Sequence, residues 1–425
     1  MKKVLIITYY WPPAGGPGVQ RVLKFAKYLP EFGWQPVILT VENGEYPAID
    51  ESLLDEIPEG IKVYKTKSFE PFNLYKGLSG QKGNLPTHIL SKSENESFVQ
   101  KLSKWLRANV FIPDARVGWI PSIVKEGKKI IDIEKPDIIF SSSPPHSLQI
   151  GAMKLAKRSG LKWVADFRDP WRNAFWQSDI NRSNFSDEKD KRLEREVISN
   201  TNAATSVSKS IISDFSKLNS NRFFVLPNGY DENDFQNIEK KQSNKFRINY
   251  TGTLGKLQQI DNFLSALNSL EKDLLGKIEI NFYGSIHESI RQNIYEARLT
   301  KVIKINPGVS HKEAIKIMVN SEILLLVIPN INNNNGIVTG KLFEYLAANN
   351  YVLGIGPIDG DAANILIETN CGYIFDYKDD LQDIIRLRIT SWQKNEKLNF
   401  SKKAVNEYSR KKTTKKLSEI FAEVL

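Results

Sequence analysis

Cysteine is almost absent: Cys371 is the only one in 425 residues. No intramolecular disulfide can form, and no cysteine cluster is available for a metal. Long apolar runs are missing too. The longest unbroken aliphatic stretch, 323–328, falls far short of the roughly 18 residues needed to span a bilayer, so no transmembrane helix is expected. The apolar start at 4–7 stops at Tyr9-Tyr10-Trp11-Pro12-Pro13 with no small-residue cleavage site. It reads as a first buried strand rather than a signal peptide, and the cytoplasm is the expected compartment. Nucleic-acid signatures are lacking as well, since the lysines are dispersed rather than clustered with aromatics. The net charge of +10 nevertheless calls for an anionic partner. A diphosphate ligand or a phospholipid surface fits that charge; nucleic acid is not expected.

The chain is long enough for two domains, and 41% hydrophobic with 25% charged residues is ordinary globular usage. Apolar strands alternate with amphipathic helices, the pattern of parallel α/β sheets. Strands are expected at 4–8, 36–40, 137–141, 162–166, 203–207 and 223–227, with helices at 19–29, 123–133 and 147–158. Residues 43–110 are weaker in pattern, with Gly77, Gly80, Gly83 and Pro86 punctuating loops. A second series follows at 246–250, 278–283, 302–305, 323–328, 351–355 and 372–375. The polar run 237–245 lies between the two series and reads as a linker. The expected domains are therefore 1–236 and 246–405, with a C-terminal helix at 406–425 packing back on the first. Ligands of such sheets bind beyond the carboxyl ends of the strands.

The most informative segment is Gly340-Lys341-Leu342-Phe343-Glu344-Tyr345-Leu346-Ala347-Ala348. A glycine admits a ligand close to the backbone, and helix-start amides with Lys341 suit phosphates. Glu344, one turn on, offers only acceptors, as two ribose hydroxyls require. The same pattern also describes an amphipathic helix that buries Leu342, Phe343, Leu346 and Ala347. The segment resembles the nucleotide-sugar motif of retaining glycosyltransferases of family 4, and the resemblance extends over nearly the whole chain. It implies the GT-B architecture, two Rossmann-like parallel-sheet domains facing each other across a cleft that holds the active site.

Further segments carry that resemblance. The loop 12–18, with Gly16, is similar to the family's glycine-rich loop toward the acceptor and the donor phosphates; as chemistry alone it is a tight turn. Trp163-Val164-Ala165-Asp166-Phe167-Arg168-Asp169-Pro170-Trp171 looks like a subgroup signature in which relatives usually hold histidine where Arg168 stands. An arginine stays cationic and only donates. Arg168 is expected either to hold a phosphate or sugar hydroxyl, with Asp169 positioning it, or to form a buried Asp-Arg-Asp pairing that fixes the loop. His146, after Pro144-Pro145, is a further catalytic candidate or a capping residue. In 250–256, Gly252 and Lys256 match the loop that contacts the donor pyrophosphate, although the family's arginine is absent and Thr253 stands in that neighbourhood. Gly284 and Val309 match positions that line the nucleotide. The paired glutamates of the family, eight positions apart, are incomplete: Glu344 fits the second, but Gly336 stands at the first, within the run Asn332–Asn335.

The resemblance implies a hexosyltransferase that uses a nucleoside diphosphate sugar, a UDP-sugar, with no cofactor and no metal. The expected acceptor is a lipid-linked or other saccharide of a surface polysaccharide. Attack from the donor's own face, with the departing phosphate taking the acceptor's proton, would give retention. Two other readings stay open, a GT-B sugar-nucleotide epimerase and a non-catalytic nucleotide-sugar-binding scaffold at the membrane. The segment 98–119, with Leu102, Trp105, Leu106, Val110 and Phe111 beside Lys101, Lys104 and Arg107, has the make-up of a basic amphipathic helix. It is expected either to lie on the inner face of an anionic membrane or to pack in the core.

Overall fold

A computed structural model describes residues 1–46, 48–69, 105–106, 108–172, 182–220 and 222–425. The turn residues Gly77, Gly80, Gly83 and Pro86, and 98–104 with Arg107 of the expected amphipathic helix, lie outside the described residues. The chain forms two compact units, Met1–Pro227 with Arg410–Leu425, and Asn228–Ser409. No helix among the described residues is long and apolar enough to cross a membrane.

In the first unit, strands β1 (Lys2–Thr8), β2 (Trp34–Val41), β3 (Lys62–Thr66), β4 (Ile138–Ser143), β5 (Lys162–Phe167), β6 (Ala203–Ser206) and β7 (Arg222–Val225) form one sheet. Its order is β3-β2-β1-β4-β5-β6-β7, and every neighbouring pair is parallel. Helices cover both faces, so the central strands are buried on both sides, as at Val4–Ile7 and Ile138–Phe140. This is why they read as unbroken apolar runs. β3 left no such signal because it is an edge strand with Lys62 and Lys65 exposed. The helix Arg410–Val424 belongs to this unit, with Phe421 edge-on to Trp34 at 5.1 Å and to Phe140 at 5.5 Å between ring centroids.

The second unit repeats the plan. Strands β8 (Phe246–Thr251), β9 (Ile278–Tyr283), β10 (Ile303–Asn306), β11 (Ile323–Val327), β12 (Tyr351–Ile355) and β13 (Gly372–Phe375) form a parallel sheet in the order β10-β9-β8-β11-β12-β13. The run 237–245, read above as a linker, belongs to this unit, and the chain crosses between units at Pro227–Asn228. Its packing explains why: Lys240 Nζ donates to Ser321 O at 2.6 Å and to Asn350 Oδ1 at 2.7 Å. In each sheet the strand order reverses beside the first strand, between β1 and β4 and between β8 and β11, where α/β sheets open a crevice at their carboxyl edge.

Beneath that edge in the first unit lies a buried polar network. Arg21 Nε donates to Asp166 Oδ2 at 3.0 Å and Nη2 to Oδ1 at 2.7 Å, with both side chains fully buried. The guanidinium also donates to Leu226 O (2.8 Å) and Pro227 O (3.0 Å). Ser142 Oγ and Thr205 Oγ1 each donate to Asp166 at 2.7 Å. Burial raises the cost of ionising Asp166, but the Arg21 charge and these donors outweigh it and hold its pKa below the ordinary value.

Replacing Arg21 with methionine strands the Asp166 carboxylate in the core. The first unit is expected to lose about 3–5 kcal/mol. Every tryptophan except Trp392 falls in that unit, so fluorescence-detected urea unfolding reports on it; an unchanged midpoint would contradict the role assigned to the pair.

Candidate functional site

In the second unit, the end of β8 and strand β11 meet the helix Gly340–Ala347. The loops after β8 and β9 are stitched together, with Gly252 N donating to Tyr283 O at 2.8 Å and Gly284 N to Asn306 O at 3.1 Å. Gly252 (φ +106°) and Gly284 (φ +129°) both sit where side-chain-bearing residues are strained. A Cβ on Gly284 would also come within 2.3 Å of Gly252 O. The backbone at this edge is therefore bare.

Lys341 lies against that bare backbone. Its Nζ would stand 3.1 Å from a Cβ on Gly252. It donates to Tyr250 Oη at 2.6 Å and sits 4.1 Å from the centre of the Tyr250 ring. Tyr250 Oη in turn donates to Thr253 O at 2.6 Å. Burial lowers the Lys341 pKa to about 8, and Glu344 opposes that shift only in part. An ammonium held over a ring, short of a full countercharge, is a cation prepared for an anion.

The helix beside it starts open. Thr339, at its N-cap, has an extended backbone but makes no capping bond, and its Oγ1 is buried without a partner. Among the described residues no acceptor meets the amides of Gly340 and Lys341. Leu342, Phe343, Tyr345 and Leu346 are buried, so the helix is anchored by one face while its first turn stays available. The core reading holds for Leu342, Phe343 and Leu346, while Ala347 is only partly buried.

Glu344, about a quarter exposed, has its Oε1 3.9 Å from His311 Nδ1, and His311 Nε2 lies 3.3 Å from Asp234 Oδ2. Sequence reasoning did not single out His311, Asp234, Tyr250 or Thr339. His311 had a usable signal: it directly follows the segment 307–310, which the resemblance implies would line a nucleotide, and it opens the helix His311–Val319. Val309 is exposed. Lys256 is exposed in the loop after β8 and has no ion-pair partner among the described residues. Within the asparagine run Asn334 is buried and its Nδ2 donates to Pro329 O and Tyr377 Oη, both at 2.9 Å, while Asn332, Asn333 and Asn335 are exposed. Gly336 ends the short turn that Asn334 begins.

In the first unit, Gly16 is exposed and caps the helix Pro17–Tyr28. Arg168 is buried, and its fork is spent on main chain: Nε donates to Ser143 O at 3.1 Å, Nη2 to Pro144 O at 2.8 Å and Nη1 to Gly18 O. It also lies 5.6 Å from the Tyr10 ring centre. The expected Asp-Arg-Asp pairing does not form through Asp166, which Arg21 has taken. Arg168 instead locks the loop after β4 to the start of the first helix. Asp169 is half-buried and acts on Arg168 and His146 by charge.

His146 is buried and stacks on Trp171 at 4.9 Å and on Phe167 at 6.3 Å. Burial lowers its pKa against the pull of Asp114, Asp169 and Asp190. Its Nδ1 is buried without a partner. The neutral ring thus carries one unused polar atom at the carboxyl edge of the first sheet.

No family model and no curated protein matches the sequence. Solved structures match it along its full length. A glycosyltransferase from Rickettsia africae has a TM-score of 0.64 at 14% identity, covering 100% of this chain and 98% of that one. Anabaena HepE in complex with UDP has a TM-score of 0.64 at 12% identity, with 100% of each chain covered. An S. aureus TarM variant in complex with fondaparinux, α-GlcNAc-glycerol and UDP has a TM-score of 0.62 at 12% identity, covering 100% and 99%. The fold is GT-B, two α/β units each built on a Rossmann-like parallel sheet.

Arg168→Lys keeps the charge and loses the planar fork. A single ammonium does not reproduce the three carbonyl bonds at their present directions. The melting temperature of the first unit is expected to drop, with a loss of about 1.5–3 kcal/mol; a wild-type melt would show that these carbonyls do not depend on the fork.

Proposed function

We propose that the protein is a retaining glycosyltransferase that moves a hexose from a UDP-sugar to a hydroxyl of a lipid-linked or other saccharide acceptor in surface polysaccharide synthesis. One observation carries the reading: the open first turn of the helix Gly340–Ala347, with Lys341 half-buried beside it and the Glu344 carboxylate one turn on. The UDP named in two of the neighbouring structures supports the choice of nucleotide.

In this reading the diphosphate takes the free amides of Gly340 and Lys341 and the Lys341 ammonium, while Glu344 accepts from the ribose hydroxyls. Gly252 and Gly284 let the pyrophosphate approach the backbone, Val309 borders the base, and Lys256 supplies a second cation. Loss of the sugar builds negative charge on the departing phosphate, and fixed cations lower that barrier with no metal. The phosphate then accepts the proton of the incoming hydroxyl on the same face, so configuration is retained and the protein contributes positioning. The first unit, through Gly16, Asp169 and the unused Nδ1 of His146, serves the acceptor. Arg168 holds those loops in place. Exposed Trp105, Leu106 and Val110 support a peripheral contact with the cytoplasmic face of a membrane.

Incubation with labelled UDP-sugars and a lipid extract tests the assignment. Label is expected in a larger product. Recovery of an epimerised nucleotide sugar alone would favour the epimerase reading, and tight binding with no turnover the scaffold. Glu344→Ala is expected to weaken UDP binding by about 1.5–3 kcal/mol at an unchanged melting temperature, read by calorimetry.

Lys341 adds a pH signature. Its pKa is about 8 in the folded protein against the usual 10.5, so between those values the folded state holds fewer protons than the unfolded one, and stability rises with pH in that window. A bound diphosphate restores the charged form. UDP binding at pH 9 is therefore expected to take up a proton, and affinity to fall by up to about tenfold per pH unit above 8. Calorimetry in buffers of different ionisation heat measures the uptake, which Lys341→Met should abolish.

A further inference from the structure

The edge of the second sheet opposite to Gly252 and Gly284 holds a cavity of about 320 Å³. It opens at the amino ends of β8 and β12, where Phe246 and Tyr351 begin their strands. The helix Gln382–Gln393 closes one side with Arg388 and Trp392, and Lys397 stands on the segment that follows. Phe246 and Trp392 meet edge to face at 5.7 Å and give the wall an aromatic part. The volume is at the lower end of small-molecule sites.

The carboxylates bordering this cavity are already matched. Glu322 accepts from Arg247 N at 2.8 Å, from its Nε at 3.2 Å and from Nη2 at 3.1 Å, and Glu396 accepts from Ser391 Oγ at 2.6 Å. Lys240 is spent on Ser321 O and Asn350 Oδ1. The donors, in contrast, are left over. Arg388 lies 5.0 Å from the Tyr351 ring centre, and its Nε is buried without a partner. Tyr351 is 5% exposed, and its hydroxyl is also buried without a partner. Burial pushes the Tyr351 pKa to about 12, so that hydroxyl keeps its proton and can donate. Lys397 is exposed at the rim with no ion-pair partner among the described residues. Two buried, unpaired donors on residues that line one cavity are costly unless an acceptor reaches them. A guanidinium fork with a cation at the rim selects that acceptor for negative charge.

We propose that this cavity binds a small organic anion, a carboxylate or phosphate monoester carrying one apolar ring or short chain. Its anionic group pairs with Arg388 and Tyr351, and its apolar body packs on Phe246 and Trp392. The site is separate from the one assigned to the diphosphate and does not rest on the transferase reading.

Saturation-transfer NMR with phenyl phosphate, phenylacetate, inorganic phosphate and benzyl alcohol tests it on the full chain. Phenyl phosphate or phenylacetate is expected to bind and to raise the melting temperature, and which of the two binds more tightly tells phosphate from carboxylate. Arg388→Met and Tyr351→Phe should each weaken that binding by at least about fivefold while UDP binding stays at its wild-type value. Tyr351→Phe removes an unpaired hydroxyl, so without ligand its melting temperature should not fall, and lost binding there reflects the site and not misfolding. Several results would overturn the proposal: no saturation transfer from either phenyl anion at about 10 mM, benzyl alcohol or inorganic phosphate binding as well as the phenyl anions, or wild-type affinity in either variant.

Discussion

The buried Arg21–Asp166 pair is the constraint on which the carboxyl edge of the first unit's sheet depends. The two residues are 145 apart in sequence, and between them they gather the first helix, the ends of β4, β5 and β6, and the carbonyls where the chain leaves the first unit. Taking both charges out of water is expensive, and a well-packed apolar substitute would match it in stability alone if geometry were irrelevant. What the pair supplies is direction. Each of its hydrogen bonds fixes where one strand ends relative to its neighbour, and the loops that leave those ends inherit the placement.

Arg168 extends the same logic one layer outward. It follows β5 directly, after Phe167 closes the strand, and its three carbonyl bonds tie the loop after β4 to the first helix. His146 sits in that loop against the Trp171 and Phe167 rings, with its Nδ1 unmatched. The polar groups beneath it are satisfied layer by layer, and the unpaired atom stands where the layering reaches the edge. The second unit shows a similar arrangement. Tyr250 and Thr253 are satisfied below, whereas Thr339 Oγ1 and the first amides of the helix Gly340–Ala347 are left open at the strand ends.

Much of the architecture could be read from sequence because both sheets are parallel and covered on two faces. Strands such as 4–8, 138–143 and 323–327 must then be apolar throughout, and a run of that kind is visible without partners. β3 escaped because its exposed lysines belong to an edge. The run 237–245 looked like a linker because its polarity is a local property, while the bonds of Lys240 to Ser321 and Asn350 are not. The same limit applied at the sites. Gly340, Lys341 and Glu344 lie on one helix, so their spacing already set their relation. The partners that give them meaning come from elsewhere in the chain: Tyr250 for Lys341, His311 for Glu344. Arg168 was conspicuous as a residue type, but a one-dimensional string does not show that its fork points at carbonyls.

The cost of the second-unit site can be located. An amine that titrates near 8 instead of 10.5 has lost, in the folded state, part of the hydration that stabilises its charge, and one pKa unit corresponds to about 1.4 kcal/mol. The Tyr250 ring and hydroxyl return some of this, and Glu344 a little more. The remainder is an unfavourable term that the empty protein carries and that an anion at the open helix start would remove. A lysine fully paired with a carboxylate would make the empty protein more stable, yet it would have to break that pair to meet a phosphate. Holding Lys341 on an aromatic ring, with Glu344 one turn away, keeps the cation in place without an anion that a ligand must first displace. In the proposed reading, this arrangement would reserve binding energy for a charged ligand instead of spending it within the fold.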